Sequence, residues 1–188
     1  MTNVLPNKTD GFSLVEALVA IAILLTVISG VMVLVNLSIK SGQNVSNRLS
    51  ASYFASDAIE YLRYSRDSTW LSDNQDSFQY WLNNAVDDCD GSACKIETRQ
   101  GQGSPTNCGS SCPNLKYNTA DKTYGYETGS DWETSKYTRA IKLIQINDVS
   151  SQDDSDDEVI VEVTVSWPQT GGGTGELVLT DTLSSWGD

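Results

Sequence analysis

The sequence predicts an α+β protein in which a long N-terminal helix packs against a small C-terminal antiparallel β-sheet. Two patterns predict this fold. The segment Ala17–Leu37 contains no ionisable side chain and is long enough to cross a membrane as a helix. Near the other end, valine or tryptophan occupies every second position of Val159–Trp167, as in a strand with one buried face. A helical segment followed by strands favours one helix laid across one sheet.

A single glutamate stands at the start of the apolar segment. Glu16 precedes Ala17–Leu37, which would be about 32 Å long at about 1.5 Å per residue. An acidic side chain at a bilayer centre costs about 2.5–3.5 kcal/mol, so a carboxylate kept there indicates a partner. If the chain were cut after Gly11, the new amino group of Phe12 would lie four residues from Glu16. Cleavage would therefore create a cation close to this anion.

The stretch Gly-Phe-Ser-Leu-Val-Glu at residues 11–16 resembles the class III signal of type IV pilins and of the pseudopilins of type II secretion. In that family a prepilin peptidase cuts after the glycine and methylates the new N-terminal phenylalanine, and glutamate is the fifth mature residue. The resemblance implies cleavage between Gly11 and Phe12, N-methylation of Phe12 and an assembly role for the charge of Glu16. It is specific from residue 11 to about residue 66 and only general beyond.

The resemblance and the composition together predict three parts. Residues 1–11 are expected to be a leader peptide, and residues 12–66 a long helix with its membrane-spanning part at about 17–37. Residues 67–188 then form a globular head. The alternative is a plain single-pass anchor, which has no need of Glu16. The flanking Lys and Arg residues do not by themselves favour a cytoplasmic N-terminus.

Two helical patterns follow the apolar segment. The long helix is expected to contact the head through an imperfect apolar stripe of Val45, Leu49, Tyr53, Ile59 and Leu62. A shorter helix is predicted around Gln75–Val86, with its apolar face formed by Phe78, Trp81, Leu82 and Val86.

Four cysteines lie in one window rich in Gly, Ser, Asn and Asp: Cys89, Cys94, Cys108 and Cys112. Their spacing is wider than the C-x-x-C knuckles of most zinc sites. Disulfides in an oxidising compartment are favoured, with the pairs Cys89–Cys94 and Cys108–Cys112 preferred over the two other connectivities. Free thiols are the remaining alternative.

The strands are expected in the last third of the chain. Tyr124 and Tyr126 alternate in a short edge strand, and Tyr137–Ile146 is a stronger one. Val159–Trp167 is followed by a glycine-rich connection and by Glu176–Leu183, its expected antiparallel partner with Leu177 and Leu179 facing inward.

Composition argues against catalysis and against nucleic-acid binding. The chain has no histidine, the commonest general base, so we expect no enzymatic activity, no cofactor and no metal. The net charge of −13 repels DNA unless a local basic patch exists, for which Lys136, Arg139 and Lys142 are too few. The acidic run 153–158 is interpreted as a solvated loop rather than a calcium site. Trp132, Trp167 and Trp186 are expected to be core or edge residues rather than a binding patch.

The sequence therefore predicts a structural subunit of a type IV pilus. The long helix lacks a proline, and with the length of the chain this favours a minor pilin over the major one. The alternatives are a minor pseudopilin of a type II secretion system, and a pilus-tip adhesin or DNA-uptake component. The resemblance implies as partners other pilin subunits, the prepilin peptidase and an inner-membrane assembly platform. It also implies a cytoplasmic-membrane stage, with the head outside, before incorporation into an extracellular or periplasmic filament.

Overall fold

The computed structural model describes residues 11–72, 77–99, 103–109, 111–146, 158–170 and 172–185. Residues 1–10 of the expected leader, nearly all of the acidic run and Trp186 lie outside the described residues.

Helix α1 spans Leu14–Leu71 and extends beyond the expected end at residue 66. The chain divides into two compact units between Gln43 and Asn44, so the helix contributes to both. In the first unit no described residue is buried, whereas the first buried residue of the helix in the second unit is Ala51. A helix with no proline in its interior keeps all of its backbone hydrogen bonds, which allows one element to serve both units.

A short irregular helix follows. α2 covers Ser77–Tyr80 and continues as a π-helical turn at Trp81–Ala85 and a 3₁₀ turn at Asp87–Cys89. The four apolar residues expected on one face, Phe78, Trp81, Leu82 and Val86, are all buried. The indole Nε1 of Trp81 donates to Ser65 Oγ at 3.1 Å, which joins this segment to α1.

Seven strands form one sheet in the described part of the chain, and the pairings between these strands are all antiparallel. They are β1 Cys94–Lys95, β2 Thr106–Asn107, β3 Asn114–Asn118, β4 Thr123–Gly125, β5 Trp132–Ile146, β6 Glu158–Pro168 and β7 Thr174–Ser184. Strand β5 is the centre, since it pairs with β1, β3 and β6. Strand β7 pairs only with β6 and is one edge of the sheet. The antiparallel β6–β7 pair expected from the alternating sequence is confirmed, with Val163 opposite Leu179.

The core lies on one face of this sheet. Alternate residues of β6, from Val159 to Trp167, are fully or almost fully buried, as the two-residue period predicts. Trp167 therefore belongs to the core and not to a surface patch. It packs so closely on Gly175 of β7 that a methyl group there would approach the indole to 2.5 Å. Leu177 and Leu179, expected to face inward, are only partly buried because β7 is the edge strand.

The predicted apolar stripe of α1 is partly wrong. Val45, Leu49 and Tyr53 are 65%, 55% and 66% exposed. Ile59 and Leu62 are buried as predicted, and the rest of the buried face consists of Ala51, Ala55 and Ala58. At about 100° per residue, Leu49 and Tyr53 fall roughly 135° and 175° from the centre of this buried face, and Val45 falls at its margin.

Candidate assembly site

The expected cleavage and assembly residues lie at the first turn of α1. Gly11 and Phe12 precede the helix and are exposed. The first backbone bond runs from Ala17 N to Ser13 O at 3.1 Å, so the ordered helix begins directly after them. Glu16 is in the first turn and exposed. A negative charge is favourable at this end of a helix because the unpaired N–H groups carry a partial positive charge. The first turn therefore accommodates the carboxylate and leaves it accessible.

The helix that follows presents a continuous apolar surface. Its most apolar window has a mean hydropathy of 3.0, and no part of that window is buried within the chain. The helix is long and apolar enough to cross a membrane. Leucine, isoleucine and valine side chains from Leu14 to Ile39 are 49% or more exposed. A surface of this kind requires lipid or other helices as its surroundings.

The same helix is held to the head by a buried arginine. Arg139 lies on β5 and is 1% exposed. Its guanidinium donates to Asp57 Oδ2 at 2.9 Å and to the carbonyl oxygen of Phe54 at 3.2 Å, both on α1. It also donates to Ile96 O at 2.8 Å. The planar fork thus ties helix, sheet and the segment after β1 at one point.

Two further contacts strengthen this anchorage. Thr98 Oγ1 donates to the same Asp57 oxygen at 2.6 Å. At the other side of the helix, Arg63 pairs with Asp181 of β7 at 2.9 Å. Both flanks of the head-bound half of α1 are therefore fastened by polar contacts.

The position of Arg139 removes the idea of a basic patch on β5. Its charge is buried and neutralised, so it does not contribute to any surface with Lys136 and Lys142. Lys136 itself donates to Asn47 Oδ1 of α1 at 2.7 Å. Arg139 and Lys136 therefore contact α1 instead. Sequence reasoning missed this role, because the only local signal is an arginine at a position whose neighbours Tyr137 and Ile141 face the core.

The four cysteines form two bonds between near neighbours. Cys89 is bonded to Cys94 with a Cα–Cα distance of 5.0 Å, and Cys108 to Cys112 at 4.7 Å. These are the pairs that the sequence analysis preferred. The first pair is fully buried and joins the 3₁₀ turn to β1, whereas Cys108 is partly exposed. The thiol groups are therefore arranged as covalent braces of the head and do not form a four-thiolate metal site.

The comparison with protein families decides the nature of the N-terminal segment. Residues 6–32 match the family described as the prokaryotic N-terminal methylation motif. The chain carries a class III signal. This signal is typical of type IV pilins and pseudopilins, and the resemblance expected from residues 11–16 is thereby confirmed. The match ends within the apolar half of α1. The comparisons with curated proteins and with solved structures gave no significant match.

Proposed function

We propose that this chain is a structural subunit of a type IV pilus, and specifically a minor pilin. The observation that carries the proposal is the position of the class III signal. Gly11, Phe12 and Glu16 stand at the start of one helix whose apolar first half is exposed in the described part of the chain. In this proposal prepilin peptidase cuts after Gly11 and methylates Phe12.

The proposed assembly step is a charge pairing between subunits. Before assembly the cut chain is held in the cytoplasmic membrane by α1, with the head outside. Glu16 then meets the N-terminal ammonium of Phe12 of a subunit already in the filament. Both charges lose hydration when they enter a bundle of apolar helices, and pairing offsets that loss and sets the axial position of the new subunit. The exposed position of Glu16 in the first turn supports this step.

The polar contacts between the second half of α1 and the sheet support a filament role as well. A subunit drawn out of the membrane by its helix must bring the head with it. The bonds from Arg139 to Phe54 and Asp57 and the ion pair of Arg63 with Asp181 resist separation of the two. The head would then form the outer surface of the filament.

The proposal is tested by the substitution Glu16→Ala in the full chain. We expect the variant to remain membrane-bound and to be incorporated into filaments at least tenfold less than the unaltered chain, because the Phe12 ammonium loses its partner. Immunoblotting of sheared filaments and of membranes measures both quantities. Glu60→Ala is the matched control: among the described residues Glu60 makes a solvent-exposed contact with Arg63 alone, so its loss is expected to leave assembly unchanged.

Mass spectrometry of the membrane form provides the second arm. The proposal expects a chain that begins at Phe12 and carries one additional methyl group. A chain that starts at Met1 in intact filaments, or normal incorporation of Glu16→Ala, would contradict it.

A pseudopilin of a type II secretion system would share every N-terminal feature. The phenotype of a strain that lacks this chain distinguishes the two functions. Loss of a minor pilin reduces surface filaments, whereas loss of a pseudopilin stops the export of folded enzymes with pili intact. A tip adhesin that contacts DNA is disfavoured by the net charge of −13.

A further inference from the structure

The two disulfides of the head differ in whether an external molecule can reach a sulfur atom. Cys89 and Cys94 are both 0% exposed. Cys108 is partly exposed, and its neighbours Asn107 and Gly109 are exposed. Thiol–disulfide exchange requires one sulfur to attack another directly, so its rate depends on access to the sulfur. In the folded head an external disulfide can therefore react at Cys108 and cannot reach either sulfur of the buried pair.

Three strands enclose the buried pair. Cys94 lies on β1, opposite Asn107 of β2 on one side and Ile141 of β5 on the other. Cys89 belongs to the same core cluster as Cys94 and Ile141. The residue after Cys89 forms an isolated bridge with Leu143 of β5. The pair is therefore enclosed when β1, β2 and β5 have come together.

The loop that carries the second pair packs on β1. The backbone N–H of Cys108 donates to Ala93 O at 2.8 Å, directly before the strand. Cys112 Sγ lies 3.6 Å from Cys94 O, on the strand itself. The second loop thus contacts a strand that the buried bond ties to the 3₁₀ turn. Each cysteine is also bonded to the nearest cysteine along the chain, so neither bond has to rearrange for the other to form.

We propose that the Cys89–Cys94 bond closes before the head folds, whereas the Cys108–Cys112 bond can close in the folded head. Both steps are exchanges with an external disulfide. One cysteine thiolate attacks a sulfur of that disulfide and releases one thiolate. The second cysteine thiolate then attacks the cysteine sulfur of the mixed disulfide and releases the other. Two cysteine thiols are oxidised, one external disulfide is reduced to two thiols, and the cysteine protons pass to these thiols. Neither step depends on the proposed pilus role.

The order of closure connects oxidation to the attachment of α1. Ile96 follows Cys94 by two residues and is fully buried. Its carbonyl oxygen accepts a hydrogen bond from Arg139 at 2.8 Å, and the same guanidinium donates to Phe54 O and to Asp57 of α1. The buried bond fixes β1 and so holds Ile96 O in place for Arg139. We expect a chain whose first pair is still reduced to hold its head to α1 less firmly.

The test follows the first pair in the full chain with Cys108→Ala and Cys112→Ala. The chain is reduced in urea, transferred to detergent buffer without oxidant, and followed by near-ultraviolet circular dichroism until the signal is constant. Oxidised glutathione is then added, and alkylation with mass spectrometry measures the free thiols. If the reduced head folds, we expect its pair to close at least about tenfold more slowly than in urea, because folding has removed access. A head that folds only after oxidation would equally show that the bond comes first.

The matched control is the full chain with Cys89→Ala and Cys94→Ala, which retains the second pair. The two loops have similar sequence separations of 5 and 4, so in urea both pairs should close at rates within about threefold of each other. In detergent buffer the second pair should keep about its urea rate. The unaltered chain serves if this variant does not fold. Dithiothreitol opens its accessible bond, and oxidised glutathione should close that bond again with the near-ultraviolet signal unchanged.

A folded head that closes its first pair as fast as in urea would overturn the proposed order. A native head whose opened Cys108–Cys112 bond closes only after urea is added would overturn it as well. Neither result bears on the pilus role, which Glu16→Ala tests separately.

Discussion

At the scale of single residues, Arg139 is the buried charged side chain that joins α1 to the sheet in the described part of the chain. Its donors reach two atoms of α1 and one of the segment after β1, whereas the other arginine pairs are partly exposed. The partners Phe54, Asp57 and Ile96 are separated from Arg139 by tens of residues in the sequence. No local pattern could therefore have predicted the contact.

We predict that Arg139→Met lowers the free energy of unfolding of the head by about 2–4 kcal/mol, because Ile96 O and Asp57 lose their donor. The cost can lie at the low end of that range because the Asp57 side chain is 54% exposed, so its carboxylate can bind water once Arg139 is removed. Urea unfolding followed by circular dichroism measures the change. Arg63→Met is the control, expected to cost less than about 1 kcal/mol because its ion pairs lie at the surface. Equal effects of the two substitutions would refute a special role for Arg139.

Gly175 is a second important residue, because its missing side chain leaves room for the indole of Trp167. A methyl group at this position would meet the indole of Trp167 at 2.5 Å, and Trp167 is enclosed by the core. We predict that Gly175→Ala destabilises the head by about 1–3 kcal/mol through overpacking. At Gly129 the closest contact of an added methyl group is 3.4 Å, to Trp132, so Gly129→Ala is a matched control with little expected effect. Thermal unfolding of both variants measures the difference. Equal destabilisation by the two substitutions would contradict a steric role of Gly175.

At the scale of elements, the sequence predicted the parts with a regular period and failed where packing chose among faces. The alternation in Val159–Trp167 could indicate only a half-buried strand, and β6 confirms it. In α1 the pattern predicted that the large residues Val45, Leu49 and Tyr53 are buried. They are exposed, and three alanines of the helix are buried in their place. Hydrophobic size alone therefore does not predict which face of this helix is buried.

The two disulfides are expected to contribute differently to the stability of the head. Each closes a short loop, so the loss of either is expected to cost about 2 kcal/mol of chain entropy. The Cys89–Cys94 bond is also completely buried. We predict that Cys89→Ala with Cys94→Ala destabilises the head by about 1–2 kcal/mol more than Cys108→Ala with Cys112→Ala, because the buried pair leaves a cavity.

The same difference in exposure predicts the order of reduction. Cys108 is partly exposed, so mild dithiothreitol should open the Cys108–Cys112 bond first in the native protein. Alkylation followed by peptide mass spectrometry identifies the first thiols to appear. Early labelling of Cys89 would show that the buried brace opens by local unfolding and that burial does not protect it.

At the scale of the whole molecule, the two compact units have opposite surface chemistry. The described part of the first unit exposes apolar side chains and contains no buried residue, while every buried side chain of the described part lies in the second. The class III signal, the apolar segment and the acidic head were all visible in the sequence because each depends on neighbouring residues. The attachment of head to helix depends on distant ones and required the structure.

This division predicts that a fragment beginning at Asn44 folds without the apolar half of α1 and loses stability in alkali. Burial raises the pKa of Tyr126 above its ordinary value of about 10, and the pKa values of Tyr61 and Tyr124 are raised by the same cause. The unfolded chain therefore releases these protons at lower pH than the folded head. The stabilisation is complete below about pH 10 and is lost as the pH rises through the raised pKa values.

For Tyr126 alone, the free energy of unfolding should fall by up to about 1.4 kcal/mol per pH unit above pH 10. Tyr126→Phe removes the hydroxyl that donates to Arg139 O at 3.2 Å, at a cost of about 1 kcal/mol near neutral pH, and makes the alkaline decline shallower. Tyr53→Phe, which changes an exposed side chain, should leave the shape of the curve unaltered. Urea titrations of the fragment from pH 8 to about pH 11 measure these slopes. A decline equally steep in Tyr126→Phe would place the alkaline sensitivity outside the contact between β5 and the segment that carries Tyr126.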